Sequence, residues 1–240
     1  MKGVVYLGDS EVEVRDFSKP EPGLGQVVIQ MKVGGLCGSD LHKYHSNREW
    51  ASERKGMISG HEPAGVVVEV RLGPVGLTAL LMGQAMGFNA IGVDVQPYRV
   101  GLAERIGKGT VIDASVQDPV EAIRDLTGGK GASGVVECSG NSKARTQATR
   151  VAGRRATVVY IGSGQQDLTI NVGDLIGKDI TIRGNSVYPV GAYYEAVTFL
   201  ETHTVPLDEI VTHRFKVEDA VEAFNTFDAG ETGKVVFEWD

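Results

Sequence analysis

The sequence predicts an α/β fold, a doubly wound parallel sheet preceded by a β-rich part. Three observations predict it. From Gly65 onward, short apolar β-branched runs alternate with helical patterns, the rhythm of a parallel sheet with helical crossovers. The stretch Val66-Val67-Val68-Glu69-Val70-Arg71-Leu72-Gly73-Pro74-Val75-Gly76 passes from such a run, through a glycine-bearing turn, into the apolar helix pattern Leu77 to Met86. Residues 1–64 lack that alternation and hold short strand patterns cut by turn clusters.

In order, Lys2–Leu7 and Glu11–Phe17 are strand patterns separated by the turn cluster Gly8-Asp9-Ser10, and Gln26–Val33 alternates like a half-buried strand. A glycine-rich turn with Cys37 follows, then a polar stretch, then Gly60-His61-Glu62-Pro63-Ala64-Gly65. Six strands are expected in residues 65–190: Gly65–Val70, Ala90–Val93, Gly109–Ile112, Gly134–Glu137, Ala156–Ile161 and Asp179–Arg183. Helices are expected at Pro74–Met86, Pro97–Ile106, Pro119–Leu126 and Ser142–Val151. Asp118-Pro119 is a start signal, an N-cap before a first-turn proline, and Gly128-Gly129 is a stop. Residues 191–240 add helices at Gly191–Glu201 and Val217–Phe227, with strands at Ile210–Phe215 and Lys234–Glu238.

The chain of 240 residues is long enough for a real core in one or two domains. A net charge of −7 and a pI near 5.3 argue against nucleic acid or an anionic membrane as partner. Met1-Lys2-Gly3 opens no signal-peptide pattern, and two cysteines make no disulfide framework, so a reducing cytoplasm is expected.

A strand, tight turn and helix in that order place the helix's unpaired N–H groups and positive dipole end before a dinucleotide pyrophosphate. Gly73, Pro74, Val75 and Gly76 would form that cradle. Asp94, eighteen positions beyond Gly76, would accept hydrogen bonds from the adenosine ribose. Arg71 stands where the fingerprint wants its first glycine, so a βα connection without a ligand is the competing reading. Cys37, Asp40, His42, His61 and Glu62 form a second constellation. A thiolate and an imidazole are good zinc ligands, but Cys37 and His61 lie 24 residues apart, and a buried cysteine with an ordinary loop histidine is the alternative.

Cys37-Gly38-Ser39-Asp40-Leu41-His42, Gly60-His61-Glu62-Pro63-Ala64-Gly65, Leu72-Gly73-Pro74-Val75-Gly76-Leu77 and the tail segments Thr212–Phe215 and Gly233–Val236 resemble the zinc-dependent medium-chain alcohol dehydrogenases, whose branch includes polyol and threonine dehydrogenases. The resemblance implies a Rossmann-like domain and a GroES-like catalytic part. It implies one catalytic zinc on Cys37 and His61 with Glu62 beside it, and Asp40 holding the ligand imidazole. Ser39 and His42 would relay the alcohol proton, and Asp94 would select NAD. Arg99 would line the adenine side, unless it is a solvated helix-start arginine. Cys138-Ser139-Gly140 and Ile161-Gly162-Ser163-Gly164, ending strands at the carboxyl edge, would approach ribose and nicotinamide by backbone.

The pattern breaks at Val70, which runs directly into Arg71-Leu72-Gly73. The family places there the rest of the barrel, a four-cysteine structural zinc lobe, the third zinc ligand and the sheet's own first strand. Two cysteines exclude that lobe, so no structural zinc is expected. Gly65–Val70 serves either the barrel remnant or the sheet, and the sheet is favoured because its halves need a central strand. The expectation is an NAD-dependent, zinc-assisted oxidation of a small-molecule secondary alcohol or polyol in a shortened chain, with a non-catalytic dinucleotide-binding module as the alternative. Uncovered strand edges point to a homo-oligomer.

Overall fold

The computed structural model describes residues 2–18, 33–54, 72–164, 167–186 and 189–238. The expectations placed on most of Gln26–Val33, on His61 and Glu62, on the strand Gly65–Val70 and on Arg71 lie outside the described residues.

β1 (Lys2–Gly8) and β2 (Glu11–Asp16) form an antiparallel hairpin whose two turn residues, Asp9 and Ser10, have φ of 52° and 63°. Such a left-handed pair matches the twist of the flanking strands. β3 (Val33–Gly35) leads to two short helices, α1 (Gly38–Tyr44) and α2 (Arg48–Glu53). Next come α3 (Pro74–Ala85), β4 (Ile91–Asp94), α4 (Pro97–Ile106), β5 (Thr110–Asp113), α5 (Pro119–Leu126) and β6 (Ala132–Glu137). The chain continues through α6 (Ser142–Val151), β7 (Ala152–Tyr160), α7 (Val172–Lys178), β8 (Thr181–Gly184) and α8 (Val190–Thr202). It closes with β9 (Val211–Lys216), α9 (Ala220–Asp228) and β10 (Lys234–Glu238).

The chain divides into two compact units, Met1–Glu62 with Val211–Asp240, and Pro63–Ile210. The tail drawn from sequence as 191–240 is therefore shared: α8 stays with the second unit, and the chain returns to the first at Val211.

In the first unit β10 pairs antiparallel with β3 and parallel with β9. Ala220, Ala223, Phe224 and Phe227 recur at helical spacing on α9 and are buried with Tyr6, Leu36, Tyr44, Val235 and Phe237. Burying each phenylalanine contributes roughly 1.5–3 kcal/mol. The returning tail thus completes the core of the N-terminal segment.

In the second unit β4 pairs with β5, and β7 lies between β6 and β8, all parallel. These are the two halves of a doubly wound sheet. One apolar cluster, including Ile91, Val93, Ile112, Val135, Val151 and Val158, draws on both halves. α3 is apolar nearly all round and is buried at Leu77, Ala79, Leu80 and Leu81, as such a helix must be. Gly92 lets it sit close, since a Cβ there would lie 3.1 Å from Leu72 and 3.2 Å from Leu80. Asp118 caps α5 through the N–H groups of Val120 and Glu121, and Gly128 and Gly129 follow its end at φ of 58° and 79°. α2 and α7 were not expected, β7 opens at Ala152 rather than Ala156, and a 3-10 turn, Val217–Asp219, precedes α9. No helix among the described residues is long and apolar enough to cross a membrane.

Candidate functional site

In the second unit, Asp94 ends β4 and is 2% exposed. The Leu72 N–H donates to its Oδ2, and the Gln96 N–H donates to its Oδ1 at 2.7 Å. Both carboxylate oxygens thus accept from backbone N–H groups that flank the carboxyl end of β4 and the start of α3. Gly73 is the N-cap of α3 and offers no side-chain cap. Pro74 has no N–H, which leaves Val75 and Gly76 as the leading backbone donors at the positive end of the helix. Among the described residues a Cβ on Gly73 would meet nothing within 4 Å, so there is open space beside this cap. Uncapped donors, open space and a nearby carboxylate fit a dinucleotide's phosphates and ribose. Arg99 lies in the first turn of α4, partly buried, its N–H bonded to the Gln96 carbonyl at 3.0 Å.

The loops after β6 and β7 form the other half of the carboxyl edge. The structure adds a residue there that sequence reasoning passed over, Glu137, 1% exposed. Its carboxylate accepts from the Ser139 N–H at 2.6 Å, from the Ser139 hydroxyl, and from the Gly140 N–H at 3.1 and 3.2 Å. Its backbone carbonyl accepts from the N–H groups of Ile161 and Gly162 at 2.8 and 3.0 Å. A Cβ on Gly162 would stand 2.2 Å from the Gly140 nitrogen, so the two loops touch backbone to backbone. Ser163, exposed, and Cys138, partly buried, sit in these loops as expected. Burial pushes the Cys138 thiol up to about 12, with the Glu137 charge adding to the rise, so it is inert. The readable signal for Glu137 was a lone acid closing an apolar strand before Cys-Ser-Gly.

In the first unit, Cys37 is the N-cap of α1. Its Sγ lies 3.0 Å from the Ser39 Oγ, and its N–H donates to Asp40 Oδ2 at 2.9 Å. Asp40 is fully buried, and its Oδ1 accepts from the Tyr6 hydroxyl at 2.8 Å, with the Lys43 ammonium at 3.7 Å. Asp40 therefore fixes the turn that carries Cys37. Burial raises the Cys37 thiol above its ordinary value; the Ser39 hydrogen bond opposes this and the Asp40 charge adds to it. His42 is exposed on α1. Lys234, buried on β10, donates to the Leu36 carbonyl at 2.9 Å just before Cys37, another contact the sequence did not disclose. Among the described residues no three His, Cys, Asp or Glu side chains gather as a metal site. Of the expected ligands only Cys37 is described, a sulfur donor suited to zinc once deprotonated.

Comparison with known proteins bears on both units. The family described as Zinc-binding dehydrogenase matches residues 74–202, and the Alcohol dehydrogenase GroES-like domain matches 23–110. An L-threonine 3-dehydrogenase of Bacillus velezensis is 30% identical over 167 residues, covering 68% of this chain and 48% of its own. This chain thus spans about half of that relative's length. A zinc-type alcohol dehydrogenase-like protein of Escherichia coli K12 is 25% identical over 346 residues, covering 96% of this chain and 97% of its own. An alignment that long against 240 residues means the relative has internal sequence this chain lacks. A solved short chain alcohol dehydrogenase of Escherichia coli CFT073, complexed with cofactor NADH, shares the fold with a TM-score of 0.81 at 15% identity, over 100% of this chain and 99% of its own.

Proposed function

The chain belongs to the zinc-binding dehydrogenase family, and from that premise we propose that it oxidises a secondary alcohol or polyol by hydride transfer to NAD. The observation that carries the reading is the buried Asp94 carboxylate beside the uncapped start of α3.

The backbone of Gly73, Pro74, Val75 and Gly76 would hold the pyrophosphate, and Asp94 the adenosine ribose, where its charge disfavours a 2′-phosphate. Arg99 would flank the adenine. Cys138, Ser139, Gly162 and Ser163 would face the second ribose and the nicotinamide through their backbone. Cys37, His61 and Glu62 would hold one zinc, which when bound supplies the Lewis acidity that lowers the alcohol's pKa. Asp40, already bonded to the Cys37 N–H, steadies that ligand and would hold the imidazole of a neighbouring ligand. In the overall balance the alcohol carbon gives a hydride to the nicotinamide and the hydroxyl proton leaves. Ser39, 3.0 Å from Cys37, and His42, three residues on and on the same helix face, would carry that proton to solvent. A homo-oligomer in the cytoplasm completes the reading: among the described residues β8 is outermost in its parallel block, and Val172 and Ile176 of α7 are exposed.

The test is zinc analysis of the purified protein together with alcohol-dependent NADH formation over a panel of secondary alcohols and polyols. About one zinc per chain is expected by the ligand count, with loss of zinc and turnover in Cys37→Ser. Turnover by metal-stripped protein, or unchanged zinc in the variant, would refute it.

A further inference from the structure

We propose that Glu137 and Arg145 are a positioning pair that locks the two carboxyl-edge loops into the shape that receives the nicotinamide half of the dinucleotide. The proposal rests on the dinucleotide site described above and adds residues with no assigned part in it.

Glu137 sits at the last position of β6, and its carboxylate gathers the Ser139 N–H and hydroxyl and the Gly140 N–H. Arg145, on α6, places its Nε 3.8 Å from Glu137 Oε2 and donates through Nη2 to the Gly162 carbonyl at 2.8 Å. One side chain thus bridges the loop after β6 to the loop after β7. Tyr160, the last residue of β7, donates its hydroxyl to the Arg145 carbonyl at 2.9 Å and fixes the helix that carries the guanidinium. The links at 2.8 and 2.9 Å are hydrogen bonds between partly buried groups, and the Glu137–Arg145 contact at 3.8 Å is an ion pair rather than a hydrogen bond.

The loops have little other freedom. Gly140 has φ of 67°, and a Cβ on it would fall 2.1 Å from the Ser163 carbonyl oxygen. A doubly wound sheet takes a dinucleotide across its carboxyl edge, one mononucleotide per half. Asp94 marks the half at β4. The loops after β6 and β7 belong to the other half, so their spacing acts on the nicotinamide mononucleotide and not on adenosine.

The test compares NADH with ADP, which carries the adenosine and the pyrophosphate but no nicotinamide half, by equilibrium titration of wild type, Glu137→Gln, Arg145→Gln and the double variant. Glu137→Gln is expected to weaken NADH about tenfold, the loss of one to two charge-assisted bonds, with ADP unchanged. The double variant is expected to lose less than the sum of the singles, because each single leaves a buried charge alone. Amide hydrogen exchange without ligand reads the clasp by itself: Glu137→Gln should speed exchange in both loops. Equal losses for NADH and ADP, additive singles, or faster exchange in the first loop alone would overturn the proposal. Wild type that binds neither ligand would overturn the dinucleotide reading, and exchange would still show whether the clasp exists.

Discussion

The backbone N–H of Leu72 donates to the carboxylate of Asp94, 22 residues further on. The acid that would choose the cofactor is thereby also the acceptor that holds the turn before α3. Arg71 replaces a glycine of the fingerprint at this turn, and the Asp94 bond supplies local order from the neighbouring strand. Asp94→Asn turns one acceptor oxygen into a donor that must face the N–H of Leu72 or Gln96. The expected cost is about 1–3 kcal/mol of stability, read by urea unfolding. Asp94→Ser is expected to narrow the preference for NADH over NADPH, read by parallel titrations.

Tyr6→Phe removes the hydroxyl that donates to the buried Asp40. The fully buried carboxylate then lacks one partner, and about 1–3 kcal/mol of stability should be lost. Zinc affinity should fall with it, because Asp40 also holds the Cys37 N–H. Competition with a chromogenic chelator measures this.

One thiol gives a pH signature. Cys138 has its pKa raised from 9.0 to about 12, so the folded chain keeps a proton that the unfolded chain releases. Stability from this source is whole below about pH 9 and falls as the pH climbs toward 12, with a slope of about one proton for Cys138. Alkylation at pH 9 followed by mass spectrometry should label Cys138 only after denaturation.

Gly162→Ala would drive a Cβ to 2.2 Å from the Gly140 nitrogen, a backbone contact that cannot yield cheaply. A loss of about 3 kcal/mol is expected by thermal melting, together with weaker NADH binding. Gly134→Ala, where a Cβ meets nothing within 4 Å, is the control and should leave both nearly unchanged.

Much of the second unit was legible because its signals are local. α4, α5 and α6 begin and end where expected: Pro97 and Pro119 sit in first turns, and Asp118 and Asn141 cap. α7 escaped because it buries no residue and so shows no apolar periodicity, although Asn171 accepts from the N–H groups of Gly173 and Asp174 as a readable cap. α2 escaped because Arg-Glu-Trp-Ala-Ser-Glu is mostly polar, with only Ala51 buried. The candidate residues at α3, β4 and α1 were legible from motif order. Their couplings were not: Tyr6 to Asp40, Lys234 to Leu36 and Arg145 to Gly162 join residues distant in sequence, and no spacing rule pairs them.

The most direct test of the central claim, that the Leu72–Gly76 turn and Asp94 form a dinucleotide site, is equilibrium titration of the intact chain with NADH, followed by cofactor fluorescence. The account expects saturable binding of one NADH per chain, weakened at least about tenfold in Asp94→Asn by loss of a charged acceptor. No saturable signal from folded wild-type protein, or equal affinity in the variant, would contradict it.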